Sequence, residues 1–212
     1  LATINVGSGG TGPAQPAPQT FNARFNADAV VFNITRWWDK AHPYGFRDQG
    51  RTFEIIGDLL GGYKGDATSV IKNVVKVNDS TVRVDLNKPS SVFPDVIAAG
   101  YFGIASPTAI KKEGAKYGTP ASKPVGTGPY TFDAYDEANK TVTLKRNDDY
   151  WGDKAKNAEI VFDIIPNEST RRQELEADSI NGYDLPNPVD WKGLEDAGNQ
   201  VEVRDPFNVL YV

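Results

Sequence analysis

The sequence predicts an α+β fold that consists mainly of antiparallel sheet with flanking helices. Residues 70–86 and 129–146 each contain two strand-like segments around a polar turn, which is typical of a β-hairpin. Helical patterns precede and separate these hairpins, and strand and helix patterns alternate from residue 158 onward. A chain of 212 residues with 39% hydrophobic residues is also long enough to bury a core.

The first predicted helix begins after Asn26, a good N-cap, and Asp28 suits the positive N-terminal end of the helix dipole. Its apolar residues recur at helical spacing: Val30, Val31, Ile34, Trp37 and Trp38. We expect one of the two tryptophans to pack in the core and the other at its edge. The helix should end near His42, because a residue that precedes proline is pushed out of the α region.

The first hairpin has strictly alternating polarity in its second arm, residues 81–86, so one face of the sheet should be buried and the other solvated. Two short helices are predicted between the hairpins, at residues 91–99 and 107–117. Pro107 occupies a favourable first-turn position.

The last part of the chain is predicted to contain a strand at residues 160–165 and a helix from Asn167 to near Asp178. Another helix is expected at residues 188–197. Short segments at residues 201–203 and 209–212 contain residue types that favour strands, and they predict further strands.

Residues 1–20 differ in composition from the rest. Residues 1–6 predict one short strand, and residues 7–20 contain Gly and Pro without an apolar anchor, which predicts a linker or surface loop. A natural and an engineered origin of this segment both remain open.

Composition excludes several classes of chemistry. The chain has no Cys, so it has no thiolate nucleophile, no Cys-based zinc site and no disulfide. It has one His, His42, which rules out a two-histidine metal site. The formal charge of −5 argues against a nucleic-acid partner.

No motif supports an active site. The acidic residues at 133–137 and 148–149 fall at predicted turns, where carboxylates are favoured for structural reasons. The Gly126-Thr127-Gly128 segment precedes a strand and lacks the Lys-Ser/Thr of a phosphate loop. We therefore expect no enzyme activity, no cofactor and no metal site.

Aromatic residues on loops and segment ends remain as candidates for recognition of a peptide or small ligand. Simple core packing is the competing interpretation for most of them. They are Tyr44, Phe46, Phe53, Tyr63, Tyr101 and Phe102.

Four segments together resemble a known family. They are residues 25–32 (FNADAVVF), 124–130 (PVGTGPY), 145–152 (KRNDDYWG) and 164–171 (IIPNESTR). In this order and spacing they are similar to motifs of the family 5 solute-binding proteins, the extracytoplasmic peptide, dipeptide and nickel receptors of ABC importers. The resemblance runs from about residue 21 to the end, and four motifs in register make it specific.

The resemblance implies the type II periplasmic binding protein fold, with the middle domain at residues 21–157 and part of the first ligand-binding lobe at residues 158–212. Residues 1–20 would form the strand and linker outside it. Members of the family are well over twice this length and close two lobes around the ligand. The resemblance therefore implies a fragment that lacks the second lobe.

The resemblance also implies candidate ligand contacts. The segment at residues 183–190 is most similar to the dipeptide and oligopeptide branch, and the nickel branch carries an Arg that residues 100–105 lack. Carried over from peptide-binding relatives, the ligand-facing candidates are Tyr44, Phe207 and Tyr211.

The implied function is capture of a peptide-like solute in the periplasm or outside the cell and its delivery to an ABC permease, by binding with hinge closure. The expected protein is a monomer without a nucleic-acid partner, and a lipoprotein anchor in the parent remains open. An alternative is an isolated scaffold or interaction domain with no ligand binding of its own. An acidic hydrolase, the third alternative, would need a carboxylate pair in a pocket.

Overall fold

The computed structural model describes residues 2–5, for their backbone only, and residues 25–203. The chain divides into two compact units, Leu1–Phe162 and Asp163–Val212. The strands are β1 (Ala2–Asn5), β2 (Ile71–Asn78), β3 (Thr81–Leu86), β4 (Tyr130–Asp136), β5 (Thr141–Arg146) and β6 (Glu159–Asp163). The α-helices are α1 (Ala27–Trp38), α2 (Glu54–Leu59), α3 (Phe93–Ala98), α4 (Pro107–Glu113), α5 (Glu168–Glu176) and α6 (Trp191–Asp196).

The first sheet has the strand order β1-β3-β2, and both pairings are antiparallel. Its central strand, β3, buries Val82 and Val84 completely, whereas Arg83 and Asp85 remain half-exposed. The predicted hairpin and its alternation are confirmed. The predicted N-terminal strand is also confirmed, because β1 pairs with β3 from Ala2 opposite Val84 to Asn5 opposite Thr81.

Helix α1 packs on this sheet and forms the first core with it. The Asn26 side chain caps α1 by accepting a hydrogen bond from the Ala29 N–H at 3.0 Å. The expectation that one tryptophan would lie at the core edge is wrong, because Trp37 and Trp38 are both buried. The Trp38 Nε1–H donates to the Ser69 Oγ at 2.9 Å, and Trp37 meets the Phe102 ring edge-on at 5.7 Å. A polar partner for the indole N–H allows full burial.

The chain between α1 and β2 contains structure that the sequence patterns do not reveal. Two 3-10 turns, Pro43–Gly45 and Arg47–Gln49, lead into α2, which has six residues. A helix of this length is too short to show a clear 3.6-residue period.

A second core forms around α4, which the Ser106 side chain caps through the Ala109 N–H. Its buried members are Phe46, Ala109, Ile110 and Tyr117. The two predicted helices between the hairpins are confirmed with shorter bounds. The fully buried Asn33 side chain of α1 donates to the Ala105 carbonyl at 2.7 Å and accepts from the Ala105 N–H at 3.3 Å. These bonds connect α1 to the segment that enters α4.

The second sheet has the order β4-β5-β6, and β4 pairs antiparallel with β5. The second predicted hairpin is therefore confirmed. None of the residues of these three strands reaches full burial. In the first sheet, by contrast, α1 packs on one face and buries its residues.

The second unit contains α5, the 3-10 turn Pro188–Asp190 and α6. The Asn167 side chain caps α5 as predicted, at 2.9 Å from the Thr170 N–H. Leu194 is the one buried residue among those described in this unit. The strand predicted at residues 201–203 is wrong, because these residues have no regular structure. The predicted linker at residues 7–20 and the strand at residues 209–212 lie outside the described residues.

Candidate site around Tyr44

Tyr44 lies in the 3-10 turn Pro43–Gly45, immediately after the end of α1. Its ring is half-buried and packs against the second core. Two contacts fix its backbone: the Tyr44 N–H donates to Nδ1 of His42 at 3.2 Å, and the Tyr44 carbonyl accepts from Nε of Arg36 at 2.8 Å. The predicted ligand residue is therefore rigidly placed by its backbone and presents part of its ring to solvent.

Three aromatic side chains surround Tyr44. The Tyr44 ring lies 5.6 Å from the Phe32 ring, 6.0 Å from the His42 ring and 6.1 Å from the Phe46 ring, measured between centroids. Phe32 and His42 meet edge-on at 5.1 Å. Such tilted and edge-on pairs stabilise aromatic clusters beyond the area that they bury.

Phe46 follows Tyr44 with a backbone φ of 51°, in the left-handed region. This conformation is costly for a residue with a Cβ, and it persists where packing compensates. Here the Phe46 ring is buried in the second core, and its carbonyl accepts hydrogen bonds from the N–H groups of Gln49 and Arg51. The loop after Tyr44 is therefore held in one conformation.

The surroundings of His42 favour its neutral form, because they lower its pKa. Burial is the main cause that lowers the pKa of His42, and the charges of Arg36 and Lys111 lower it further. Asp39 opposes them and raises it. A neutral imidazole matches the geometry, because Nδ1 must stay unprotonated to accept the Tyr44 N–H.

Lys111 extends from α4 over this cluster. Its Nζ lies 5.3 Å from the centroid of the Phe32 ring and 6.0 Å from that of Tyr44, so it is a cation–π partner of both. Neither Lys111 nor Phe32 is predicted from the sequence as a ligand contact. No local sequence signal could have found this contact, because the two segments are brought together only by the packing of α1 against α4.

The other two predicted ligand residues, Phe207 and Tyr211, lie outside the described residues.

The acidic residues of the turns have structural partners. Asp133 pairs with Lys145 at 2.9 Å, and Asp148 pairs with Arg146 at 2.8 Å. Hydrogen bonds from these cations lower the pKa of both carboxyls. Asp136 accepts hydrogen bonds from the Ala138 and Asn139 N–H groups, and its pKa is also lowered. None of these carboxyls has the raised pKa of a general acid.

Two concave surfaces are found among the described residues, and Tyr44 lines neither of them. A cavity of about 30 Å³ lies beside Ala105 and Gly126, and it has room for about one water molecule. A more open depression of about 470 Å³ is lined by residues from Leu86, at the end of β3, to Pro94, in the first turn of α3. Within residues 2–5 and 25–203, no group of carboxylates and imidazole could hold a metal ion. In the same part of the chain, no helix has the length and apolar character needed to cross a bilayer.

The chain is similar to one family model and to several known proteins. Residues 22–212 match the family model described as bacterial extracellular solute-binding proteins, family 5 Middle. The chain is 30% identical over 192 residues to heme-binding protein A of Haemophilus influenzae, covering 89% of this chain and 34% of that protein. It is 31% identical over 172 residues to the dipeptide-binding protein of Escherichia coli, covering 78% of this chain and 30% of that protein.

Among solved structures, HbpA2 from Haemophilus parasuis is similar with a TM-score of 0.68 and 31% identity, covering 86% of this chain and 35% of that chain. The chain thus spans about a third of the length of the relatives that it matches.

Proposed function

Because the chain belongs to family 5 of the bacterial extracellular solute-binding proteins, which are transport binding proteins and not enzymes, we propose that it is part of a receptor for a peptide-like solute. The receptor captures its solute in the periplasm or outside the cell and delivers it to an ABC permease. The observation that carries this proposal is the family match over residues 22–212, and the similarity to a dipeptide-binding protein supports the solute class.

The proposal assigns residues 21–157 to the middle domain of the family and residues 158–212 to part of the first ligand-binding lobe. The relatives are about three times as long as this chain, which supports a second lobe outside it. Solute capture then depends on closure of two lobes around the ligand, and no bond of the solute is broken.

Tyr44 is the proposed ligand contact within the described residues, and Phe207 and Tyr211 are its proposed companions. The half-exposed ring of Tyr44, on a backbone held by His42 and Arg36, supports this role. A rigid aromatic surface binds an apolar peptide side chain at little cost in conformational entropy.

Haem is a second candidate solute, and the similarity to heme-binding protein A favours it. His42 is the one imidazole in the chain, and its Nδ1 already accepts the Tyr44 N–H. An iron ligand at this position would therefore have to be Nε2.

Saturation-transfer NMR with dipeptides, and absorbance titration with haem, test the two candidates on the 212-residue chain. We expect weak dipeptide binding, with a Kd on the order of millimolar, because one lobe alone buries little of the ligand. Tyr44→Ala should reduce the saturation transfer from the protein to the dipeptide. Tyr101→Ala is the matched control, because Tyr101 is 58% exposed and lies in a different loop.

Equal transfer in the Tyr44→Ala and Tyr101→Ala variants would contradict the assignment of Tyr44. Micromolar or tighter dipeptide binding would contradict the need for a second lobe. If the chain gives a haem absorbance band that His42→Asn abolishes, and no dipeptide signal, the solute is haem and not a peptide.

A further inference from the structure

Two arginines of the first unit, Arg36 and Arg47, lie over one aromatic ring, and a third, Arg51, lies near Arg36. The guanidinium carbon of Arg36 is 5.3 Å from the centroid of the Phe53 ring, and that of Arg47 is 5.2 Å from the same centroid. Arg47 also lies over Tyr63 at 4.7 Å. Arg51 is close enough for its charge to lower the pKa of Arg36, after the larger effect of burial. We call Arg36, Arg47 and Arg51 the arginine cluster.

None of these three charges is neutralised by a carboxylate within residues 25–203. Each makes one hydrogen bond, and each acceptor is a backbone oxygen: Arg36 to Tyr44, Arg47 to Trp37 and Arg51 to Ala115. Asp48 and Glu54, the nearest carboxylates in the sequence, form no ion pair with them. The other arginines that the structure describes in this unit, Arg83 and Arg146, do pair with carboxylates, at 3.0 Å and 2.8 Å.

The arginine cluster contains a buried charge that no counter-charge among the described residues stabilises. Arg36 is only 5% exposed, and a buried charge without a counter-charge is strongly unfavourable. Nε of Arg47 is buried and has no hydrogen-bond partner in the described structure. A guanidinium carries five N–H donors, so most donors of the cluster have no protein acceptor among the described residues. The chain as a whole carries a net charge of −5, so three neighbouring arginines without a carboxylate partner among the described residues are a local exception.

We propose that the arginine cluster is a binding site for an organic carboxylate. The planar fork of a guanidinium matches a carboxylate in bidentate geometry, and the Phe53 ring provides an apolar wall for the carbon chain that bears it. Arg47 and Arg51 are half-buried, so the site is open to a ligand from solvent. The carboxylate has two sources, a peptide C-terminus or a free carboxylic acid.

The site adjoins the candidate solute contact, because Arg36 holds the Tyr44 carbonyl at 2.8 Å. The inference goes beyond the proposed function, since it needs only described residues and does not depend on the solute being a peptide. Binding of a free dicarboxylate would support it even if no peptide bound.

The test uses three probes on the 212-residue chain at constant ionic strength: succinate, Ala-Ala and Ala-Ala amide, which lacks the carboxylate. Arginine Nε–Hε resonances in NMR spectra report the contact directly. We expect succinate or Ala-Ala to shift the Arg36 and Arg51 resonances, and Ala-Ala amide to leave them unchanged. A response to Ala-Ala alone identifies a peptide terminus as the source, and a response to succinate identifies a free acid.

Arg51→Gln should weaken binding of the responding probe by about tenfold, because it removes one charged donor pair. Arg51→Lys should also weaken it, since it keeps the charge but loses the fork. Arg83→Gln is the matched control: it removes the same charge from β3, and binding should stay within about twofold.

No shift of the cluster resonances by either carboxylate in the unsubstituted chain would overturn the proposal, whatever the variants do. It would also be overturned if Arg83→Gln weakened binding as much as Arg51→Gln does. Dipeptide binding that depends on Tyr44 but not on Arg51 would refute the carboxylate site and leave the proposed function standing.

Discussion

At the scale of single residues, buried polar side chains of α1 position the segments around Tyr44. Asn33 exchanges two hydrogen bonds with the backbone of Ala105, and Arg36 donates to the Tyr44 carbonyl. A buried donor or acceptor that loses its partner costs about 1–3 kcal/mol. These contacts therefore select one backbone arrangement where hydrophobic packing alone would accept several.

The first prediction concerns the pH dependence of stability. Burial lowers the pKa of His42, so the unfolded chain binds a proton at higher pH than the folded chain does. The stability from the neutral imidazole is complete above about pH 6.5, the ordinary pKa of His, and declines as the pH falls toward the folded pKa. His42→Asn removes this titration and keeps an acceptor for the Tyr44 N–H.

Urea unfolding at about pH 8 and at about pH 5.5 measures the effect. The free energy of unfolding should fall less in His42→Asn than in the parent chain. An equal fall of the free energy of unfolding in both proteins would contradict the role of His42 and assign the pH dependence to other groups.

The sequence predicts which residue types lie near Tyr44 but not what they contact. Tyr44 and Phe46 are visible as loop aromatics, because turn residues and proline mark the end of α1. Their partners on α1 and α4, Phe32 and Lys111, are separated from them in sequence, so only the tertiary packing reveals the cluster. The burial of both tryptophans could not be predicted for the same reason, since the Ser69 hydroxyl that allows Trp38 to be buried lies on another segment.

At the scale of elements, the segment from α2 to β2 depends on a close approach. A Cβ placed on Gly57 of α2 would lie 2.6 Å from the Tyr63 ring, closer than real contacts allow. Tyr63 in turn stacks against Arg47 at 4.7 Å and Lys40 at 4.4 Å. The missing side chain at Gly57 thus lets this ring fold back over the helix.

The second prediction is that Gly57→Ala destabilises the protein, although alanine is the better helix former by about 1 kcal/mol. Displacement of the Tyr63 ring should cost about 1–3 kcal/mol. Gly100→Ala is the matched control, because no atom lies within 4 Å of its Cβ position and its φ is not positive. Thermal unfolding of the two variants decides: equal or higher stability of Gly57→Ala would show that the ring adapts.

Elements with strong periodicity were predictable. Both hairpins and the capped helix α5 match the predicted segments, because alternation and capping residues are local signals. Helix α1 begins at the predicted cap, but it ends at Trp38 and not near His42. Helix α2 is too short to show a period, and its N-terminus has no side-chain cap. Residues 201–203 show that β-branched residues alone do not make a strand without a pairing partner.

At the scale of the whole molecule, the two units differ in how they are stabilised. The first contains both hydrophobic cores, whereas the described part of the second buries only Leu194. The second unit relies on polar contacts, in which Arg172 pairs with Glu176 and Asp190. The side chains of these pairs are between 24% and 37% exposed. Ion pairs in contact with solvent contribute little stability, with a median of about 0–1 kcal/mol.

The third prediction is therefore a difference in hydrogen exchange. Amides of α1 and β3 should exchange only through global unfolding, and those of α5 and α6 should exchange through local opening at lower free energy. Exchange measured in increasing urea separates these two regimes. Equal protection of α5 and β3 would show that the second unit has stabilising contacts that its described residues do not reveal.

The family and the fold class were predictable because four separated motifs fix the order of elements. The pairing of β1 with β3 was not predictable, since nothing in the short β1 segment specifies a partner. The arginine cluster was also invisible, because its members are spread over α1 and the following loop, and helical or strand periodicity does not apply to them.

The burial of Trp37 and Trp38 has an optical consequence. Trp151 is 72% exposed and Trp191 is partly exposed, so the four indoles form one emitting population shielded from water and another open to it. A dissolved quencher reaches the second population and spares the first. The natural fluorescence of the chain can therefore report on the first core separately from the surface, without an attached dye.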